Sequence, residues 1–136
     1  MKANLVTDKK EHLEDMLLAV EEPILDIDNI LDSLSGDEAA VRFLLELFIH
    51  DHSGDGGKFR QLMNNDDRER AQRLVHSLRG VSGNLGAMVL YSVSSDIEHL
   101  MKQGIEVPKA LIAKLSNELK RTVDFAQQVL NLEKMR

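Results

Sequence analysis

The chain has 136 residues, of which 43% are hydrophobic and only 4% aromatic, and it contains no cysteine. That is the size of one domain with one core, and it excludes disulfides and thiolate metal sites while allowing a reducing compartment. A net charge of −6 with no basic stripe argues against nucleic acid as a partner, and nothing resembles a membrane span or a signal-peptide core, so a soluble, cytoplasmic domain is expected.

Residues 1–8 are polar. From Lys9 to Glu22, Leu13, Met16, Leu17 and Val20 recur at i, i+3, i+4 and i+7, which predicts a short amphipathic helix ended by Pro23. The expected division is 1–24 as an N-terminal helix or connector and 25–136 as a helical bundle. Helix 9–22 would pack on the bundle's flank, connect to an upstream domain or make a dimer contact.

Residues 26–34 predict a second short helix with Ile27, Ile30, Leu31 and Leu34 inward. Ser35 and Glu38 read as a capping box for the next helix, which carries Val41, Leu44, Leu45 and Phe48. Its seam runs through His52 and Asp55 and regains apolar residues at Phe59 and Leu62. Gly54, Gly56 and Gly57 interrupt it, a penalty of about 3 kcal/mol in a continuous helix, so a kink or broken turn is expected there.

Asp66 with Glu69 resembles an N-terminal cap for the following helix, which should weaken around Gly83 to Gly86. The next helix is expected from Ala87 to about Gln103, with Leu90, Val93, Ile97, Leu100 and Met101 inward and Gly104 as its stop. Pro108 stands in the first turn of a last helix to about Leu132, whose stripe is Leu111, Leu115, Leu119, Ala126, Val129 and Leu130. Four long helices with short connections and no strand pattern predict an all-α fold, an antiparallel four-helix bundle with one or two short extra N-terminal helices.

Several motifs are incomplete. Asp51 to Gly56 imitates the opening of a calcium-binding EF-hand loop, but Leu62 occupies the position of its bidentate glutamate. The run Gly54 to Phe59 lacks the glycine spacing, the hydroxyl residue and the preceding strand of a phosphate-binding loop, so no ATP site can be argued. His50 and His52 are two apart and cannot share a helical face. His12 and His99 stand alone. The 23 carboxylates show no pairing suited to acid–base work and read as solvated helix faces.

Residues 71–87, AQRLVHSLRGVSGNLGA, carry the remaining chemistry. At a helical step of about 100°, Leu74, Leu78, Val81 and Leu85 form one apolar stripe, and His76 lies roughly 180° from its middle. Gln72, Arg79, Gly80 and Gly83 share the face of His76. Each interior glycine costs a helix roughly 0.8–1.0 kcal/mol relative to alanine, and here the pair clears the space beside the ring. The same pattern would suit a surface histidine beside helix-packing glycines.

His76, Leu78, Gly80, Gly83, Asn84, Gly86 and Ala87 match the signature of histidine-containing phosphotransfer (HPt) domains, which this stretch resembles, with Arg79 where that family usually has lysine. The similarity extends over roughly residues 25–105, and the glycine-rich break at 52–57 departs from it. The resemblance implies a phosphorelay intermediate that accepts a phosphoryl group on His76, at Nε2, from a receiver-domain aspartate and passes it to, or back to, another receiver. In that reading Arg79 stabilises phosphoryl charge, with a planar fork replacing the lysine's point charge. Gly80, Gly83, Gln72 and Arg73 form the access and docking face.

The implied partners are response-regulator receiver domains and a hybrid sensor kinase, with Mg²⁺ supplied by the receiver. The chain itself would carry no cofactor, metal or ATP site, and would act as a monomer and not as an enzyme in its own right. Two other readings stay open: a docking or regulatory bundle that binds a receiver, or another partner, without transfer, and a structural dimer built on helix 9–22.

Overall fold

The computed structural model describes residues 24–134, and the expected helix 9–22 lies outside them. The described residues form six helices and no strand: α1 (Ile27–Ser33), α2 (Glu38–His52), α3 (Asp55–Asn64), α4 (Arg68–Asn84), α5 (Met88–Lys102) and α6 (Lys109–Lys134). The segments α2 and α3 make one arm of a four-arm bundle. Short connections reverse the chain into α4, α5 and α6, giving the antiparallel arrangement expected from the apolar periodicity. The α4–α5 hairpin is packed along its length, α3 lies on α4, and α6 lies against α2, α3 and α5.

Leu45, Phe48, Phe59, Val75, Leu78, Leu90, Ile97, Leu115, Leu119 and Leu130 are all buried in one core. Complete burial of a side chain of this size contributes about 1.5–3 kcal/mol, so the four stripes together hold the arms in register.

The glycine-rich stretch does break the helix. The α2 segment ends at His52 and α3 starts at Asp55, yet the seam continues across the gap because His52 Nδ1 and Asp55 Oδ2 meet at 2.8 Å, both side chains largely covered. Gly56 is buried, and a Cβ there would lie 2.8 Å from Ser116 Oγ. The missing side chain lets α3 approach α6.

Two caps differ from the sequence expectation by a small displacement. The cap of α2 is Asp37, whose carboxylate accepts from Ala40 N–H at 3.1 Å, while Ser35 takes a left-handed conformation (φ +57°). The cap of α4 is Asp67, not Asp66. Asp66 also sits at φ +57°, in the turn where Asp67 N–H donates back to Leu62. In both cases a polar residue enters the left-handed turn, joined by Gly36 in the first, and the aspartate that follows the turn caps the helix.

At the other end of the hairpin, α4 stops at Asn84 and Gly86 turns the chain at φ +66°. A Cβ on Gly86 would lie 2.5 Å from Cβ of Asp26. Asp26 caps α1 through Asn29 N–H and donates its own N–H to Leu85 O at 3.2 Å. Glycine at 86 therefore does two things: it adopts the left-handed turn and admits the N-terminal segment against the α4 terminus. Gly104, at φ +70°, ends α5 as expected, with Ile105 N–H donating to Leu100 O at 2.9 Å. The last helix begins one residue after Pro108, whose carbonyl accepts from Leu111 and Ile112.

Candidate functional site

The site is built on the α4–α5 hairpin. The buried face of α4 is Ala71, Val75, Leu78 and Ser82, with Leu74 and Val81 only partly covered. Its centre is thus rotated from the stripe expected through Leu74 and Val81. Ala71 and Ser82 are small, and their burial lets the neighbouring arms come close. Ser82 remains satisfied because its hydroxyl donates to Leu78 O at 2.6 Å.

This rotation still leaves the side chain of His76 67% exposed. Its Nδ1, however, lies 2.5 Å from Oε2 of Glu98 on α5, and Glu98 is only 3% exposed. Glu98 sits on the inner face of α5 with Ser94, Ile97 and Met101. The reading of every carboxylate as part of a solvated face is therefore corrected at Glu98.

The second oxygen of Glu98, Oε1, accepts from Arg79 Nη1 at 2.9 Å, and Lys102 Nζ stands 3.6 Å from Oε2. Burial pushes the Glu98 carboxyl toward the neutral form, but hydrogen bonds from Arg79 and His76 and the positive charge around it outweigh burial, holding its pKa below the ordinary value. An ionised carboxylate has no proton to give. The hydrogen on the shared line therefore belongs to Nδ1, so that whenever the ring carries a single proton its lone pair is on Nε2.

Arg79 is drawn to two partners. Besides Glu98, its Nη2 lies 3.5 Å from the Tyr91 hydroxyl, and its guanidinium carbon lies 5.6 Å from the Tyr91 ring centre. The Tyr91 hydrogen bond and then the Glu98 hydrogen bond raise the Arg79 pKa, and the same guanidinium lowers that of the Tyr91 phenol.

An open cleft of about 530 Å³ beside the ring is lined by Glu69, Gln72, Arg73, His76, Glu98 and Lys102. Gln72 and Arg73 thus line the cleft with His76, Arg73 being tied to Glu69 at 2.9 Å. Arg79 does not line that cleft; it borders a neighbouring one with Ser95, Asp96, Glu98, His99 and Lys102. The two glycines also divide. Nothing lies within 4 Å of a Cβ placed on Gly80, whereas one on Gly83 would meet the Tyr91 ring at 3.3 Å. Gly80 keeps open space on the surface of α4, while Gly83 serves the packing of Tyr91. Glu98, Lys102 and Tyr91 were missed from the sequence.

The model of the Hpt domain family matches residues 44–125, a stretch that contains all of α4 and α5. The chain belongs to the Hpt domain family. Among solved structures, the Hpt domain of a hybrid histidine kinase from Shewanella is similar, with a TM-score of 0.72 at 20% identity over 80% of this chain and 95% of that one. Comparison with curated proteins gives no match. As an Hpt domain the chain has a histidine phosphotransfer role in two-component signalling, and the family is a phosphotransfer module and not a catalytic kinase. Hpt domains interact with receiver domains and hybrid kinases. No helix among the described residues is long and apolar enough to cross a membrane.

Proposed function

We propose that this Hpt domain is a phosphorelay intermediate in which Nε2 of His76 accepts a phosphoryl group from a receiver-domain aspartate and passes it to, or back to, another receiver. The observation that carries the reading is the combination at His76: an exposed ring whose Nδ1 is held by a buried carboxylate.

The Nε2 lone pair attacks phosphorus, and the phosphorus–oxygen bond of the aspartyl phosphate breaks with its electron pair returning to the receiver's carboxylate. The ring keeps its Nδ1–H and becomes cationic. Glu98 lies against that proton and neutralises the new charge, so no proton has to leave for the bond to form. Passing the group on reverses each step. Such transfers depend chiefly on positioning and charge stabilisation, and the open space at Gly80 lets a receiver's loops approach the ring. Mg²⁺ and the acidic pocket around the aspartate are assigned to the receiver.

The test is to mix the domain with a phosphorylated receiver and Mg²⁺ and follow the label. Acid-labile label on the parent chain and none on His76→Gln is the expected result. Label persisting in His76→Gln would refute the site, and binding without label would leave a docking module in place of a transfer protein.

A further inference from the structure

Three cations stand near His76, and the structure distinguishes them by what they already hold. Arg79 is committed to Oε1 of Glu98 and to Tyr91, and lies outside the cleft that contains the ring. Arg73 lines the cleft but is hydrogen-bonded to Glu69 at 2.9 Å. Lys102 lines the cleft, is 55% exposed, and stands 3.6 Å from Oε2 of Glu98, beyond hydrogen-bond distance. It is held near the ring by attraction and without a directed bond.

We propose that Lys102 is the cation that receives the phosphoryl group carried on His76, and that Glu98 exchanges one positive partner for another when the group arrives. This rests on the phosphotransfer reading of His76. Before transfer, Oε2 faces Nδ1 of the ring and the ammonium of Lys102. When the phosphorus–nitrogen bond forms at Nε2, the ring gains a positive charge beside Oε2, and Glu98 no longer needs the lysine. The ammonium, with three donors on a flexible stem, turns to the phosphoryl oxygens across the cleft. Each anion then has a cation: Glu98 the imidazolium, the phosphoryl group Lys102. Arg79 stays on Oε1 throughout and acts as a positioning residue, fixing the carboxylate that fixes the ring. The phosphoryl contact that the family's lysine suggests for position 79 is thus supplied from α5.

The full chain is labelled with phosphoramidate, so that labelling and titration need no partner protein; the ³¹P signal of phosphohistidine is titrated, and the rate of transfer to an added receiver measured, in the parent, Lys102→Gln, Lys102→Arg, Arg73→Gln and Arg79→Gln. A nearby cation favours the dianionic phosphoryl form. Lys102→Gln should move the ³¹P titration to higher pH and slow transfer to a receiver by about tenfold, less than a buried oxyanion donor supplies because the lysine is half exposed. Lys102→Arg should restore both. Arg79→Gln, acting only through Glu98, should move the titration less than Lys102→Gln does. An unmoved titration and rate in Lys102→Gln, or the shift arising from Arg73→Gln or Arg79→Gln instead, would overturn the proposal. Absence of label on His76 in the parent would overturn the phosphotransfer reading itself, a distinct outcome.

Discussion

Nδ1 of His76 and Oε2 of Glu98 meet at 2.5 Å across the α4–α5 hairpin, joining a ring that is 67% exposed to a carboxylate that is 3% exposed. The buried partner sets the direction of the exposed one. Replacing it with an isostere tests that relationship. Glutamine at 98 can donate its amide to Nδ1, which places the ring proton on Nε2 and removes the lone pair that phosphorus needs. Glu98→Gln should slow phosphotransfer roughly a hundredfold, the lower end of the range for groups that set protonation at a reacting atom. ¹⁵N spectra of the ring should show the proton on Nδ1 in the parent and redistributed in the variant. Equal rates and equal spectra would remove Glu98 from the mechanism.

The same carboxylate makes stability depend on pH. Its folded pKa lies below the ordinary 4.5, so its ionised form stabilises the fold. That contribution is fully present above the unfolded value and is lost as pH falls through the folded one. Urea midpoints measured from about pH 6 down to about pH 3 should fall more steeply for the parent than for Glu98→Gln, since the variant has no proton to take up there. Parallel curves would contradict the depressed pKa.

Gly80 and Gly83 should respond differently. With nothing within 4 Å of a Cβ on Gly80, Gly80→Ala should stabilise the chain by about 0.8–1.0 kcal/mol through helix propensity. Gly83→Ala should gain less, because its methyl meets the Tyr91 ring at 3.3 Å. Gly80→Leu should keep the helical circular-dichroism signal and slow transfer by crowding the approach to His76. A transfer rate equal to the parent's would show that open space at Gly80 has no part in access.

Gly86→Ala combines a left-handed backbone (φ +66°) with a Cβ 2.5 Å from that of Asp26. It should cost roughly 2 kcal/mol or more, read as a lower denaturant midpoint with the helix content of α4 and α5 retained. A midpoint within a few tenths of a kcal/mol of the parent would mean that the Asp26–Leu85 junction yields easily.

Much of the fold was legible in the sequence because leucine, valine and isoleucine recur at helical spacing on every arm. Glycine and proline also punctuate the chain where the helices end. The break after His52 was legible for the same reason, since Gly54, Gly56 and Gly57 crowd one turn. The rotation of α4 was not, because its buried face includes Ala71 and Ser82, residues that a search for large apolar side chains passes over. His76 stood out through its neighbours on one helix. Glu98 belongs to another helix, and its pairing depends on the register of the hairpin about Gly86, which places the middle of α5 opposite the middle of α4. One signal was available: an acid on the same face as Ile97 and Met101 needs a cation or a donor to be buried. Following that need across the hairpin leads to His76 and Arg79.

The most direct test of the central claim is the position of the phosphorus on the ring. The ¹⁵N-labelled domain, phosphorylated by a receiver, should show in its ³¹P and ¹⁵N spectra a single phosphorus–nitrogen bond at Nε2 of His76, with Nδ1 still protonated. Phosphorus bonded to Nδ1, or carried by another histidine of the chain, would contradict the account.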